Sequence, residues 1–381
     1  MSFCNSVFLI YCPYRTLIET QGKYSELLFT QKAVEIIEDH DAKASPMFLM
    51  LSYMNPHSPL EALPEDIARA EHVKNEIRRN FTALMSSLDY AVLDVVMTLK
   101  RKGIYENTLI VFTGDNGGAV AGPDKSTSLG GTNYPFRGAK WTVWEGGVRV
   151  PSFIVGPGIA AGLISKELFH ITDWFPTLAK LASIKLDKHP ALLDGVDQTD
   201  LVLNNGPSAR QEVILELDLP SKQAAIRSGN FKLIVGKAGT KPLNEIYSPL
   251  EGKKDRYEYW ADGWYSDVSH DANSMTNQFH QTYVNISSSN FTFTYPDFSY
   301  IGNFTHADVS LYDLSSDVGE SYDLFNANGR LEAKARELYD RLVAESRNMA
   351  VPKYLLKIDQ KAAIKEIKGT KILEWTPFLD D

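Results

Sequence analysis

One stretch of the chain, from Thr108 to Pro151, constrains the fold more than any other. It opens on an apolar run, Leu109 to Phe112, of the kind expected for a buried parallel strand. Asp115 and Asn116 follow that run directly, and open α/β sheets bind their ligands beyond the carboxyl ends of such strands. An Asp-Asn pair offers two hard oxygen ligands to a divalent cation. We therefore predict a metal-binding loop at the end of this strand.

The rest of the stretch is rich in glycine and carries positive charge. Two glycines follow Asn116, and they let the backbone turn sharply and approach a bound group closely. Arg137 and Lys140 supply fixed positive charge, and Trp141 and Trp144 can form the wall of a pocket. A pair of metal ligands followed by a basic, glycine-rich loop suits the binding of a tetrahedral oxyanion.

The amino-acid sequence of this stretch closely resembles that of the sulfatase family, in particular its arylsulfatase B branch. The resemblance is carried by T-G-D-N-G-G and by P-F-R-G-A-K-W-T-V-W-E-G-G-V-R. It extends from about Gly22 to about Pro352 and is strongest from Met47 to Ala182. It implies an α/β fold of the alkaline-phosphatase-like type, with a mostly parallel sheet flanked by helices, incomplete at the N-terminus, and a small α+β C-terminal domain.

Apolar periodicity predicts the elements around the central block. Helix and strand patterns alternate, which indicates parallel α/β organisation. A histidine at position 170, before the last helix, is interpreted as structural. The predicted elements are a helix from Tyr24 to His40 with Ser25 as its cap, a buried strand from Met47 to Tyr53, an amphipathic helix within Glu71–Gly103, a strand within Pro151–Pro157 and a helix within His170–Ala182.

The pattern changes beyond residue 205. Strand-like runs at Glu212–Leu217 and Ala224–Val235, with a Gly229-Asn230 turn, precede a helix from Arg330 to Ser346. We therefore predict an atypical N-terminus over residues 1–20, the remainder of a catalytic α/β domain over 21–205, and a C-terminal α+β domain over 206–381. The last would contain a surface insertion at about 236–305.

The family resemblance implies roles for particular side chains. Asp115 and Asn116 would be calcium ligands, and Lys140 and Arg137 would bind the sulfate group. His57, which follows the predicted Met47–Tyr53 strand, would also contact sulfate and protonate the leaving oxygen as general acid. A lone loop histidine is more often a solvated side chain, but its position and the resemblance favour a functional role.

Other parts of the implied machinery are missing from the 381 residues. The family's nucleophile is a formylglycine made from the cysteine of Cys-x-Pro-x-Arg, and the sequence contains no such motif. Cys12 does not qualify, because proline follows it directly. We therefore expect negligible turnover from this chain, and we interpret it as a sulfatase whose first part is lost. Its sheet would then keep an unpaired apolar edge, which predicts aggregation.

Three functional hypotheses remain open from the sequence. The leading one is a sulfuric ester hydrolase of the arylsulfatase type that acts on sulfated sugars or aryl sulfates. The second is a non-catalytic protein that binds sulfated glycans through His57, Arg137 and Lys140. The third, a phosphatase or phosphodiesterase relative, is less favoured because the sequence shows no cluster of His and Asp ligands for paired metals.

The net charge and the glycosylation acceptor sites limit which binding partners and which cellular compartment are expected. The net charge of −9 argues against nucleic acid as a partner, and no stretch is predicted to be long enough to cross a membrane. No signal peptide is recognised, yet four Asn-x-Ser/Thr acceptor sites, together with the resemblance, favour the lysosome or secretion. The oligomeric state stays open. The acceptor asparagines are Asn80, Asn285, Asn290 and Asn303.

Overall fold

A computed structural model describes residues 22–120, 130–186, 193–218, 223–239, 308–325 and 331–347, and the backbone of 364–366 and 373–375. The predicted insertion at about 236–305 lies almost wholly outside these ranges, as do Asn285, Asn290 and Asn303. Two compact units are distinguished, Met1–Thr108 with Met349–Asp381, and Leu109–Asn348. This division differs from the predicted boundary near residue 205, because the Thr108–Pro151 stretch packs with the C-terminal sheet.

The first unit is built around a long helix. Helix α1 (Ser25–Asp39) confirms the predicted first helix, but the cap prediction is wrong, since Tyr24 occupies the N-cap without a side-chain bond. Helix α2 spans Pro64–Arg69 and helix α3 spans Glu76–Lys102. Both α1 and α2 pack against α3.

The ends of α3 follow standard capping chemistry. The Asn75 side chain accepts a hydrogen bond from the backbone N–H of Arg78, and Gly103 ends the helix at φ +75°. Arg101 and Lys102 in the last turn contact Glu38 at the end of α1. These two basic side chains therefore join α3 to the end of α1.

By length and composition alone, α3 could cross a membrane, contrary to the expectation that no stretch is long enough. Three acidic residues, Glu76, Asp89 and Asp94, lie within it. Since α1 and α2 cover part of its surface and its ends are capped, we interpret α3 as a core helix of this unit. The Asn80 acceptor site falls on its first turns, where Asn80 is half-buried.

The predicted strand at Met47–Tyr53 is not formed. These residues are extended but pair with no strand among the described residues, and alternate side chains are exposed. Phe48 is 84% exposed and Met50 is 76% exposed, so the run is not buried either. An apolar run becomes a buried strand only when neighbouring strands pair with it, and no strand of the described residues does so here.

The second unit begins with a two-stranded ribbon. Strand β1 (Ile110–Thr113) confirms the predicted central strand, and β2 (Ser152–Val155) confirms the strand within Pro151–Pro157. Their pairing is antiparallel, with Ile110 opposite Val155, and both are partly exposed. Within the described residues β1 is therefore neither fully buried nor paired in parallel, contrary to what the apolar run Leu109–Phe112 predicted.

Short helices follow the ribbon. A 3-10 turn at Ile171–Asp173 leads into α5 (Trp174–Leu181), and α6 spans Thr199–Asn204. The side chain of His170 and that of Asp173 cap the start reciprocally, which confirms the structural interpretation of His170. Arg210 clamps the buried Asp173 carboxylate with its guanidinium, and burial together with the Arg210 charge lowers the pKa of His170.

A four-stranded antiparallel sheet forms the centre of the second unit. Its order is β3-β4-β5-β6, from Glu212–Asp218, Gln223–Ser228, Phe231–Val235 and Val309–Asp313. The predicted strands and the Gly229-Asn230 turn are thereby confirmed. Helix α7 (Glu332–Ser346), predicted from Arg330 to Ser346, packs on one face. A separate hairpin, β7 (Ile364–Glu366) with β8 (Leu373–Trp375), belongs to the first unit.

The two faces of this sheet have different partners. Side chains alternate along a strand, so Leu233 and Val235 face α7, while Ile234 faces the opposite side. On that opposite face, Val143 and Trp144 from the Thr108–Pro151 stretch complete a second apolar cluster. The C-terminal sheet thus holds the predicted functional stretch against its second face.

Candidate anion-binding site

The loop that carries Lys140 is almost wholly buried. From Gly138 to Gly147 every residue is buried except Lys140, which is half-buried, and Trp141, which is exposed. The glycines make this packing possible, since a Cβ on Gly147 would lie 2.2 Å from the backbone oxygen of Thr142. A Cβ on Gly138 would lie 2.5 Å from the Trp144 side chain. The loop is therefore a rigid platform with two protruding side chains.

A tight turn from Ala139 to Thr142 presents those two side chains. The Thr142 N–H donates to the Ala139 carbonyl at 3.1 Å, and the Thr142 hydroxyl bonds both the carbonyl and the N–H of Ala139. Trp141 occupies the third position with φ +73°. Type II turns favour glycine there, and a left-handed conformation costs an L-residue about 1–2 kcal/mol. Trp141 is held in this conformation while 51% exposed.

The predicted metal-ligand pair is tied to this turn through the backbone. Strand β1 ends at Thr113, and Asp115 and Asn116 follow in a bend. The Lys140 N–H donates to the Gly118 carbonyl at 3.1 Å, and the Gly117 N–H donates to the Gly147 carbonyl at 2.9 Å. The structure therefore brings the Asp115-Asn116 loop and the Lys140 turn together, as expected of one site.

Asn133 locks the two loops in register. Its side-chain oxygen accepts from the Gly118 N–H at 2.8 Å, and its amide group donates to the carbonyls of Gly118 and Gly138. A single partly buried amide that satisfies three backbone groups is a strong local constraint. Sequence reasoning missed Asn133, since an isolated Asn in a glycine-rich loop carries no distinctive pattern.

The calcium assignment fits in ligand type but not in ligand number. Asp115 is exposed, and its carboxylate accepts only the neighbouring Asn116 N–H at 2.8 Å. Calcium takes about six to eight oxygen ligands. In the described part of the chain, no cluster of three or more His, Cys, Asp or Glu side chains could complete a metal site. Asp115 and Asn116 would therefore supply only part of the ligands that a calcium ion requires.

Arg137 has structural contacts as well as its predicted role. Its guanidinium lies 3.9 Å from the Trp144 ring centroid, and it donates to the Glu320 carbonyl at 2.9 Å. The cation–π contact and the hydrogen bond hold Arg137 against the loop that carries Lys140. Its direct contact with substrate stays a prediction.

Beneath the platform lies a buried ionic network. The Lys232 ammonium on β5 is fully buried, 3.1 Å from the Glu145 carboxylate and 2.8 Å from that of Glu320. The second Glu320 oxygen accepts from the Glu145 backbone N–H at 2.6 Å. Arg227 on β4, directly opposite Lys232 in the register, lies 3.4 Å from Glu145. These four side chains form what we call the Lys232 network.

The Lys232 network attaches the start of helix α4 (Glu145–Val148) to the second face of the C-terminal sheet. Burial raises the pKa of the Glu320 carboxyl above its usual value, and the Lys232 ammonium and the Glu145 N–H oppose that rise. Sequence reasoning missed this network, although Lys232 inside the apolar run F-K-L-I-V was a signal. A lysine on an inward face of a buried strand requires a buried partner.

The predicted general acid lies in the first unit. His57 is exposed, and its Nδ1 lies 2.7 Å from the Ser58 carbonyl oxygen. Because a carbonyl only accepts, Nδ1 carries the proton in this contact, which leaves Nε2 as the other ring nitrogen of an exposed side chain. The Nε2 atom is then the position from which this ring could donate a proton when charged. Its relation to Lys140 spans the two units and stays a prediction.

A buried carboxylate fixes the backbone that leads to His57. Glu26 on α1 is 1% exposed, and its Oε1 accepts from the N–H groups of Met54 and Asn55 at 3.1 and 2.6 Å. The Asn55 amide donates in turn to the Leu84 carbonyl of α3 at 3.0 Å. Glu26 thus positions the loop of His57, and no sequence pattern distinguished it from the other acidic residues of α1.

Replacing Glu26 with alanine is expected to remove about 1.5–3 kcal/mol from the free energy of unfolding, because two backbone N–H groups lose a charged acceptor. Hydrogen exchange should show faster exchange of the Met54 and Asn55 amides. Glu26→Gln keeps one acceptor oxygen and should cost about 1 kcal/mol. Equal exchange rates of these amides in the wild type and the alanine variant would contradict the positioning role.

Comparisons with known proteins agree with this architecture. The sequence model of the sulfatase family matches residues 2–184, and so includes the segment 1–20 in which no resemblance was recognised. The chain is 35% identical to arylsulfatase J of Mus musculus over 237 residues, covering 57% of this chain and 38% of that protein. It is 34% identical to N-acetylgalactosamine-6-sulfatase of Mus musculus over 172 residues, covering 45% and 31%.

The chain therefore spans about a third of the length of these curated relatives. Among solved structures, that of Ps i-CgsB in complex with k-i-k-neocarrahexaose matches with a TM-score of 0.58 at 23% identity. This match covers 85% of the chain and 56% of that structure. It confirms the predicted α/β fold of the alkaline-phosphatase-like type. The residues that carry the sequence resemblance also form the rigid platform under Lys140, and they lie within the residues 2–184 that match the sulfatase family model.

Proposed function

We propose that the protein belongs to the sulfuric ester hydrolases and that the Ala139–Thr142 turn is its site for the sulfate group of sulfated sugars or aryl sulfates. The observation that carries the proposal is the exposure pattern, because within Gly138–Gly147 only the half-buried Lys140 and the exposed Trp141 are accessible to a ligand. Lys140 would bind a sulfate oxygen as a point charge. The net charge of −9 would repel a polyanion, so this local cation sets where a sulfate ester binds.

The other residues have supporting roles in the proposal. Asp115 and Asn116 would contribute two oxygen ligands to a calcium ion, which supplies positive charge to the sulfate oxygens when bound. Arg137 would add a further cation, and His57 would donate a proton from Nε2 to the leaving oxygen. The four glycosylation acceptor sites support passage through the secretory pathway to the lysosome or the exterior.

A second candidate function follows from the missing nucleophile motif. Residues 1–381 contain no Cys-x-Pro-x-Arg from which a formylglycine could form. We therefore propose that these residues by themselves bind sulfate esters without hydrolysing them. Under this alternative the chain acts as a non-catalytic binder of sulfated glycans, through the same Lys140 turn.

Binding and turnover are expected to separate in one experiment. Titration with N-acetylgalactosamine 4-sulfate should show binding that falls at least about tenfold in Lys140→Ala, because a charge-assisted hydrogen bond is lost. Release of sulfate from the same sugar and from an aryl sulfate, with calcium or with a chelator, should stay at background. Lys180→Ala is a matched control, because Lys180 forms an exposed ion pair with Asp197 elsewhere in the same unit.

Each outcome decides one part of the proposal. Calcium-dependent release of sulfate would contradict the non-catalytic alternative and support the hydrolase. Faster release of phosphate from an aryl phosphate would favour a phosphatase instead. Equal affinity of the wild type and Lys140→Ala for the sulfated sugar would overturn the assignment of the sulfate site.

A further inference from the structure

Trp141 combines three features that packing alone does not explain. It is a large aromatic residue at 51% exposure. It has φ +73° at a turn position that favours glycine. Its neighbours on both sides within Gly138–Gly147, apart from Lys140, are buried. Strained residues that the surrounding structure over-determines cluster at functional sites, so an observed outlier of this kind is a reason to look for a ligand.

The surroundings of the turn hold Trp141 in this conformation. The Thr142 hydroxyl bonds Ala139 on both its N–H and its carbonyl, and Ala139 itself is fully buried. The glycine at position 147 lies so close beneath that a Cβ there would approach the Ala139 oxygen to 2.6 Å. The backbone therefore cannot relax to bury the indole, and the ring stays at the surface.

The position of the Lys140 ammonium indicates which chemistry the ring would meet. The Nζ atom lies 5.5 Å from the centroid of the Trp141 ring. An anion on Nζ would thus sit beside the indole face, and the group that carries the anion would lie against the ring. A pyranose has an apolar face of C–H bonds that packs on an aromatic ring, whereas inorganic sulfate has no such face.

We propose that Trp141 is a specificity-determining contact, on which the sugar ring of a sulfated pyranose stacks while its sulfate group is bound by Lys140. This inference rests on the proposed function and deepens it, because it assigns the substrate class as a sulfated sugar. Trp141 discriminates between sulfate esters by what carries the sulfate, and Lys140 binds the anion common to all of them.

The test uses two probes and three variants of the full chain. The probes are inorganic sulfate and N-acetylgalactosamine 4-sulfate, each titrated calorimetrically, with unsulfated N-acetylgalactosamine as a reference. In Trp141→Gly the affinity for the sulfated sugar should fall about tenfold, within the range of aromatic contacts, while the affinity for inorganic sulfate is unchanged. Trp141→Phe keeps a flat ring and should recover most of the lost affinity.

A loss of affinity in Trp141→Gly is not expected to arise from destabilisation of the fold. Glycine is the residue that the turn position favours, so Trp141→Gly should melt at the same or a higher temperature than the wild type. A lower melting temperature would contradict the strain on which the inference depends. In the wild type, the sulfated sugar should shift the tryptophan emission to shorter wavelength, and inorganic sulfate should not.

The outcomes separate this inference from the proposed function. Suppose that Lys140→Ala loses affinity for both probes, while Trp141→Gly binds the sulfated sugar as tightly as the wild type. This result would overturn the stacking role of Trp141 and leave the assignment of the sulfate site intact. Unchanged affinity for both probes in Lys140→Ala would overturn the sulfate site itself. If Trp141→Gly lowered the affinity for inorganic sulfate and for the sulfated sugar by the same factor, Trp141 would support the turn and would not select the sugar.

Discussion

Lys232→Met is expected to lower the free energy of unfolding by about 3–5 kcal/mol at neutral pH, because it leaves two buried carboxylates without their shared cation. Lys232 is fully buried between Glu145 and Glu320, which are themselves 2% and 0% exposed. Methionine fills a similar volume to lysine. The lost free energy of unfolding therefore arises mainly from the missing charge and not from a cavity. Chemical denaturation measures it directly.

An exposed ion pair provides the matched control. Lys334 on α7 pairs with Glu337 at 2.9 Å, and the Glu337 side chain is 59% exposed. Lys334→Met should change the free energy of unfolding by less than about 1 kcal/mol, since exposed pairs contribute little. A similarly small effect of Lys232→Met would contradict the account of the network as a buried attachment of the Lys140 loop.

The pH dependence of this loss has a defined sign. Burial raises the pKa of Glu320, so the folded state holds its proton to a higher pH than the unfolded chain. The stability that Glu320 contributes is full below the unfolded pKa and is lost as the pH rises through the folded pKa. Removing the Lys232 ammonium raises that folded pKa further. The deficit of Lys232→Met against the wild type should therefore shrink as the pH falls from about 8 to about 5.

Gly117→Ala is expected to cost about 3 kcal/mol or more, at the upper end for overpacking, and to weaken binding of sulfate esters together with stability. A Cβ at Gly117 would lie 1.9 Å from the backbone oxygen of Gly146, and neither backbone can move alone. The displacement would break the bond from the Gly117 N–H to the Gly147 carbonyl. It would thus separate the Asp115-Asn116 loop from the Lys140 turn.

Gly162→Ala is the control for a glycine whose surroundings are open. Gly162 has φ +74° with nothing within 4 Å of an added Cβ. Alanine there should cost about 1 kcal/mol through the left-handed backbone alone and leave binding unchanged. If Gly117→Ala behaved like Gly162→Ala in both measurements, the close contact between the two loops would not be what assembles the site.

Local patterns were sufficient to predict helices α1, α3, α5 and α7 and strands β3, β4 and β5. The apolar spacing of α3 and the apolar run of β5 are encoded within single elements. The run Met47–Tyr53 was misjudged because the formation of a strand depends on neighbours that the local sequence does not specify. The run Leu109–Phe112 was misjudged as a buried parallel strand for the same reason.

The sequence predicted which residue types form the candidate site better than it predicted the contacts that hold these residues in place. Asp115, Asn116 and Lys140 carry a recognisable wording, and the structure places them on two loops joined by backbone hydrogen bonds. The supports are long-range contacts between residues far apart in sequence, such as Glu145 with Lys232 and Glu320. Such pairings follow from the tertiary fold and leave no periodic trace in the chain.

The central claim is that the Lys140 ammonium binds the oxygens of a sulfate group. The most direct measurement is a crystal of the protein soaked with selenate, whose selenium gives an anomalous signal at the anion position. The account predicts a selenium peak within about 4 Å of the Lys140 Nζ atom, lost in Lys140→Ala. A peak at another cation with none at Lys140, or a peak that persists in Lys140→Ala, would contradict it.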